Sequence, residues 1–178
     1  KNLGALAINI SVNDVSCQCA DPVGVLMTLL IPPSADLDDL KEIVDDATRT
    51  ARELNVDIVG GHTEVTDAVN KIVISTTVIG RVDKNRRPDL KKVKAGDVLA
   101  VSKYLGIEGT SIIAHEKKEV KEILSKEEYE FAKALSKEIS VLKESKIAGK
   151  YGVKHMHDIT EGGLFGAVWE TSRALGHG

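Results

Sequence analysis

The chain has 178 residues, a formal net charge of −3, 42% hydrophobic residues and only 3% aromatics. That is enough apolar content for a real core in one large or two small domains, and its Val, Ile, Leu and Ala bias is the mix of an α/β packing. The acidic balance without a basic stripe excludes nucleic acid as the main partner, and no apolar run of about 18 residues marks a membrane span.

Residues 3–19 carry Leu3, Leu6, Ala7, Ile10 and Asp14 at helical spacing, which places the Asp14 carboxylate on the apolar stripe with Asn13 beside it. A carboxylate there needs a hydrogen-bonded partner or a metal, unless the helix ends early and Asp14 caps it or meets solvent. Cys17 and Cys19 lie two apart on the same helix, so their side chains diverge by about 200°. They are expected as buried free thiols of a reducing, cytoplasmic compartment, not as a disulfide or a shared metal site. Asp21-Pro22 breaks the helix, and the apolar run Val23–Ile31, closed by Pro32-Pro33, reads as an interior strand. Asp36 starts an amphipathic helix with Leu37, Leu40, Val44, Ala47, Ala51 and Leu54 on one stripe. Asp57-Ile58-Val59 is a short strand running into Gly60-Gly61-His62-Thr63-Glu64-Val65, a loop that either approaches a ligand closely or forms a tight bulge. His62 is a structural residue or part of that ligand site. The β-branched segment Lys71–Val82 is a long strand.

The aperiodic stretch Asp83–Lys94 reads as a linker, dividing the chain into domains at 1–84 and 95–178. The second half is expected to open with a strand over 97–102. Gly106-Ile107-Glu108-Gly109-Thr110 then leads into a helix over 111–115. Ser125 and Glu128 form a capping box ahead of one helix carrying Phe131, Leu135, Ile139 and Leu142. The lysines of 117–126 alternate with glutamates and read as a solvated face. A short strand over 153–157 delivers His157-Asp158-Ile159-Thr160-Glu161-Gly162-Gly163-Leu164, whose helix presents Leu164, Val168, Thr171 and Leu175 to the core. Paired glycines at a helix start suit a phosphate: Gly162 and Gly163 offer amides, Thr160 a hydroxyl, and Asp158 holds a cation against the phosphate charge. The bland alternative is a helix start with Thr160 as N-cap. Lys1 is no initiator methionine and Gly178 stops just after a helix, so the chain reads as a piece of something longer.

Taken together, Val12-Asn13-Asp14-Val15 ahead of Ala20-Asp21-Pro22, then Gly60-Gly61-His62-Thr63-Glu64, then Asp158-Ile159-Thr160-Glu161-Gly162-Gly163-Leu164, resemble the aminoimidazole ribonucleotide (AIR) synthase superfamily over nearly the whole chain. Within it the chain looks most like the hydrogenase maturation factor that dehydrates an S-carbamoyl group, and the AIR-synthase-related proteins close to it. The resemblance implies a two-domain α+β or α/β fold. An N-terminally truncated first domain has a mixed sheet that pairs in a homodimer, and a C-terminally truncated second domain is an α/β sandwich. It implies ATP and Mg²⁺ as cofactors, used to activate an amide-like oxygen by phosphorylation. Asp14 and Asp158 match metal-binding acids, and Asn13, Gly60, Gly61, His62, Thr63, Thr160, Gly162 and Gly163 match nucleotide-binding positions. For maturation factors it also implies a carbamoyl-transferring partner.

The sequence departs from that pattern at two positions. His62 stands where many maturation factors carry an acid, and Glu161 where they are often basic. Neither Cys17 nor Cys19 matches the cysteine that carries the carbamoyl group. Two hypotheses follow: an ATP-dependent enzyme, with the dehydratase preferred over AIR synthase, thiamine-monophosphate kinase or selenophosphate synthetase, or a non-catalytic relative that retains a nucleotide pocket.

Overall fold

A computed structural model describes residues 2–176. The described chain forms two compact units, one of residues 2–16 and 20–83 and the other of residues 17–19 and 84–176.

The first unit runs α1 (Leu3–Ser16), β1 (Asp21–Ile31), α2 (Leu37–Glu53), β2 (Asp57–Val65) and β3 (Val73–Arg81). Its sheet has the order β2-β1-β3, with β1 parallel to β2 and antiparallel to β3. The parallel pair requires a crossover, which α2 supplies. Asp36 caps α2 by accepting from the Asp38 amide at 3.0 Å, and Asp38 and Asp39 sit in the first turn, where the helix dipole favours them. On one face of β1, Val25, Met27, Leu29 and Ile31 are buried. Their β3 partners Val78, Thr76 and Ile74 are half-buried on that same face. Helices α1 and α2 cover it, contributing Ile8, Val12, Ile43, Ala47 and Ala51 to the core. The Thr76 hydroxyl pairs with that of Ser11 and donates to the Ala7 carbonyl at 3.2 Å, fastening α1 to β3. Gly4 lets the two helices touch: a Cβ there would stand 2.0 Å from the Ile43 carbonyl oxygen. The opposite face carries Leu26, Val73 and Ile79, all exposed.

Three expectations are corrected here. Helix α1 ends at Ser16, so Cys17 and Cys19 lie in the turn beyond it, with Cys19 at φ 55; both thiols are free and buried, as expected. Asp14 is exposed, and it is Asn13 that is buried. The buried line runs Gly4, Ile8, Val12, Ser16, four residues at a time, and Asp14 sits about 200° around the helix from Val12. The glycine-rich segment Gly60–Val65 is no loop but continues β2, because parallel pairing to β1 persists through it after a register shift that leaves Val59 as the extra residue.

The second unit contains α3 (Ile107–Glu116), α4 (Val120–Ile123), α5 (Lys126–Ala134), α6 (Leu142–Lys150) and α7 (Gly163–Leu175). Ala114, Ala132, Leu135, Leu142 and Ala167 are its buried apolar residues beyond Cys17 and Cys19. The Ser125–Glu128 capping box is present, with both arms formed. The single helix expected after it breaks at Ala134 into a 3-10 turn, Leu135–Glu138, and α6 starts afresh at Leu142. The ammonium of Lys103, a residue at φ 60, reaches the Glu138 and Ser140 carbonyls at 2.9 and 2.5 Å and Glu144 at 3.1 Å, tying down that break. Segments 97–102 and 153–157, expected as strands, are irregular, and no strand forms among the described residues of this unit. A strand needs a hydrogen-bonded neighbour and a layer over its apolar side chains. Val98 and Leu99 are 91% and 69% exposed, with nothing described over them. What joins the two segments is an ion pair, Lys154 Nζ to both Asp97 oxygens at 2.5 and 2.7 Å. Of the face expected on α7, Leu164, Thr171 and Leu175 are half-buried and Val168 is exposed, while the fully buried residue of the helix is Ala167.

Candidate functional site at the start of helix α7

Gly162 is the N-cap of α7 and lies in the left-handed region at φ 75, with Gly163 following at φ 60. Two such residues in succession are costly for anything but glycine. Gly163 donates its amide to the Thr160 carbonyl at 3.1 Å, and Gly166 donates to Gly162 at 3.0 Å, so the loop closes tightly onto the helix. The Gly163 amide, expected to face an anion, is therefore used in the turn, and Thr160 is not the N-cap. No side chain caps α7. In the first helical turn, the amides of Leu164 and Phe165 have no carbonyl four residues back in the helix, and the dipole adds partial positive charge there. This is an arrangement that fits a phosphate group.

The approach to the loop is fastened by two histidines. His155 Nε2 lies 3.3 Å from the Thr171 hydroxyl, which itself donates to the Ala167 carbonyl at 2.8 Å. His157 Nδ1 lies 2.6 Å from the Asp158 carbonyl and Nε2 lies 2.8 Å from Glu170 Oε2. Burial alone would lower the pKa of His157. The Glu170 hydrogen bond, the Asp158 carbonyl and the two carboxylates outweigh it and raise the value, since an imidazolium donates from both nitrogens. His155 moves the other way, lowered by burial and then by the neighbouring His157 charge.

Asp158 has a side chain 13% exposed. Its charge and that of Glu161 reach Glu108 in the first turn of α3, whose pKa is raised by burial first, then by Glu161 and Asp158. Helix α3 starts like α7, on a left-handed glycine, Gly106 at φ 71, with no side-chain cap. The second unit thus brings together two open helix starts and three carboxylates. Asp158, Thr160, Gly162 and Gly163 belong to this group from the expected set, whereas Glu108, in the first turn of α3, is not among the expected site residues. The signal that could have promoted it is the glycine before a helix, as at 162–163, here with an acid in the first turn, which α7 lacks. Among the described residues, no group of three or more His, Cys, Asp or Glu side chains stands close enough to hold a metal ion unaided. A hard cation here would draw the rest of its oxygen ligands from phosphate and water, as Mg²⁺ does.

The expected positions of the first unit are spread over two elements. Asn13 and Asp14 lie on α1, and Gly60, Gly61, His62 and Thr63 on β2. Successive β2 residues point to opposite faces. Gly60 and His62 pair with Leu26 and Thr28, whereas Gly61 and Thr63 pair with Met27 and Leu29 of the helix-covered face. Gly61 is needed for close approach, since a Cβ would stand 1.8 Å from the Met27 carbonyl oxygen. His62 Nε2 lies 3.3 Å from Glu64 Oε2, both side chains exposed on the same face.

Residues 1–82 match the family model of the AIR synthase related protein N-terminal domain, and residues 94–178 that of its C-terminal domain. The chain is 31% identical over 95% of its length to a provisionally named hydrogenase expression/formation protein of Methanocaldococcus jannaschii, covering 48% of that relative. It is 32% identical over 99% of its length to the carbamoyl dehydratase HypE of Escherichia coli, covering 51% of it. The chain therefore spans about half the length of these curated relatives. Among solved structures, a chain of a HypE–HypF complex superposes with a TM-score of 0.80 at 25% identity, covering 97% of this chain and 55% of that one. HypE in complex with ATP superposes with a TM-score of 0.59 at 32% identity, covering 64% of this chain and 35% of that one. No described helix is long and apolar enough to cross a membrane. With both halves matched and a mixed sheet with helices laid out as in the HypE structures, the chain belongs to the AIR synthase related protein family.

Proposed function

We propose that the protein binds ATP with Mg²⁺ and acts in hydrogenase maturation as an ATP-dependent dehydratase that turns an S-carbamoyl group into a cyano group. The observation that carries this reading is the start of α7: a left-handed Gly162 and no side-chain cap, beside the carboxylates of Asp158 and Glu108. The choice of reaction is supported by the relatives named carbamoyl dehydratase HypE, and a HypE was solved with ATP.

Removing the oxygen of a carbamoyl group as water is slow, because oxide is a poor leaving group. ATP supplies the phosphoryl group that makes that oxygen able to leave. The residues of this chain bind and orient. The amides at the start of α7 take phosphate oxygens, the Thr160 hydroxyl donates a further hydrogen bond, and Asp158 supplies a carboxylate to the cation. Asp14 and Asn13 are the matching polar pair of the first unit, and Gly60, Gly61, His62 and Thr63 are its nucleotide-binding candidates. Glu108 is part-buried among like charges and holds its proton to higher pH than an ordinary glutamate, so it also suits proton transfer. The uncovered sheet face of the first unit pairs with a second copy of the chain, and a carbamoyl-transferring protein is the maturation partner. The two free, buried thiols suit a cytoplasmic setting.

A second reading is favoured by Glu161, a negative charge beside the proposed phosphate loop: a nucleotide-binding relative without turnover. Titration calorimetry on the full-length protein with ATP, with and without Mg²⁺, comparing wild type with Asp14→Asn and Asp158→Asn, tests the first reading. Mg²⁺ is expected to tighten ATP binding at least about tenfold, and each substitution to remove that gain. If neither does, both acids are structural. ADP release with a carbamoylated peptide then separates catalysis from binding. Turnover with a ribonucleotide formyl-amidine instead would assign the chain to AIR synthase chemistry.

A further inference from the structure

His157 has two ring nitrogens and two fixed acceptors, the main-chain carbonyl of Asp158 at 2.6 Å and Glu170 Oε2 at 2.8 Å. Glu170 lies about two turns into α7, so the imidazole spans from the chain entering the loop to the helix leaving it. His155, two residues earlier, is anchored to the adjacent α7 position, Thr171, at 3.3 Å. The entering segment is thus fastened side by side along α7 at two successive positions, and loop 158–163 is closed at its base. At its other end the loop is closed by the Gly163 to Thr160 hydrogen bond. An imidazole with one partner swings about its terminal torsion, which is broad. With two partners it is fixed, and so is the peptide plane it holds.

We propose that Glu170 is a positioning residue: through His157 it clasps the main chain at Asp158 and sets the shape of loop 158–163. Glu170 is 57% exposed at its side chain, so its pairing with His157 adds little to global stability. What it contributes is orientation. The Asp158 carbonyl cannot turn while the ring holds it, and Thr160, Gly162 and the first amides of α7 follow from that start. The consequence for nucleotide binding rests on the ATP reading above; the consequence for loop shape does not.

The test uses the full-length protein as wild type, Glu170→Ala and Glu170→Gln. Amide exchange at Gly163 and Gly166, measured by NMR without nucleotide, reads the loop directly. Glu170→Ala is expected to speed exchange at Gly163 about tenfold while amides in the middle of α2 keep wild-type rates. Glu170→Gln, whose side-chain oxygen still accepts from the ring, is expected to restore most of the protection. In calorimetry with MgATP the alanine variant is expected to bind about tenfold more weakly and the glutamine variant to stay near wild type, with melting temperatures of all three within about 2 °C. Wild-type exchange at Gly163 in the alanine variant, or a glutamine variant no better than alanine, overturns the clasp. Wild-type protein that fails to bind MgATP overturns the nucleotide reading alone, and the exchange rates still decide the clasp.

Discussion

Glu108 loses part of its hydration at the start of α3 and shares that space with the charges of Glu161 and Asp158, and all three influences push its pKa up. For a carboxyl raised in the folded state, the unfolded chain ionises first. Below the ordinary glutamate value of about 4.3 both states are protonated and the group contributes nothing. As pH rises above that value a destabilising contribution grows, and it is complete, and stays, once pH has passed the raised folded value. Glu108→Gln is therefore expected to melt with wild type at the acid end and about 1–2 °C above it at pH 7, read by calorimetry across that range. A lower melting point at pH 7 would mean that the Glu108 charge is compensated in the fold. The neighbouring His157, whose value is also raised, has the same slope: it contributes stability that is complete below about 6.5 and fades as pH rises through the folded value.

Helices and strands here were legible where one stretch of chain carried its own partners. The apolar run of β1, the cap and stripe of α2 and the Ser125–Glu128 box of α5 all formed, because period and cap chemistry are local. Asp14 was misplaced because a helix of small and apolar residues shows several plausible stripes, and the one that packs was set by Gly4 against α2. The β2 glycines looked like a loop because glycine disfavours strands, yet parallel pairing with β1 imposed one. Segments 97–102 and 153–157 had strand composition but found no partner strand among the described residues, and composition alone does not make a ladder. At the site, the glycine pair and Asp158 were visible in the sequence. Glu108 and Glu170 were not, since what gives each its meaning is a neighbour many residues away. The α1–α2 crossing gives a direct check: Gly4→Ala, whose Cβ would overlap the Ile43 carbonyl, is expected to lose about 3 kcal/mol in urea unfolding followed by circular dichroism.

The whole chain combines a sheet covered on one side with relatives about twice its length. Leu26, Val73 and Ile79 are 41%, 43% and 54% exposed on the uncovered side of that sheet. If that face joins a second copy, Leu26→Glu is expected to shift sedimenting species from dimer to monomer while leaving far-UV circular dichroism unchanged; a monomeric wild type would exclude the pairing. The strand order also has a consequence in time. β1 is the middle strand, yet it is completed at Ile31, and neither neighbour is complete until Val65 and Arg81. At roughly 5–20 residues per second of synthesis, the β1 edges wait roughly 3 to 10 s for both companions. During that interval the nascent chain presents an apolar segment to chaperones, or to its twin on the next ribosome of the same message. Slow codons over residues 32–81 would lengthen that exposure, and soluble yield should fall with them.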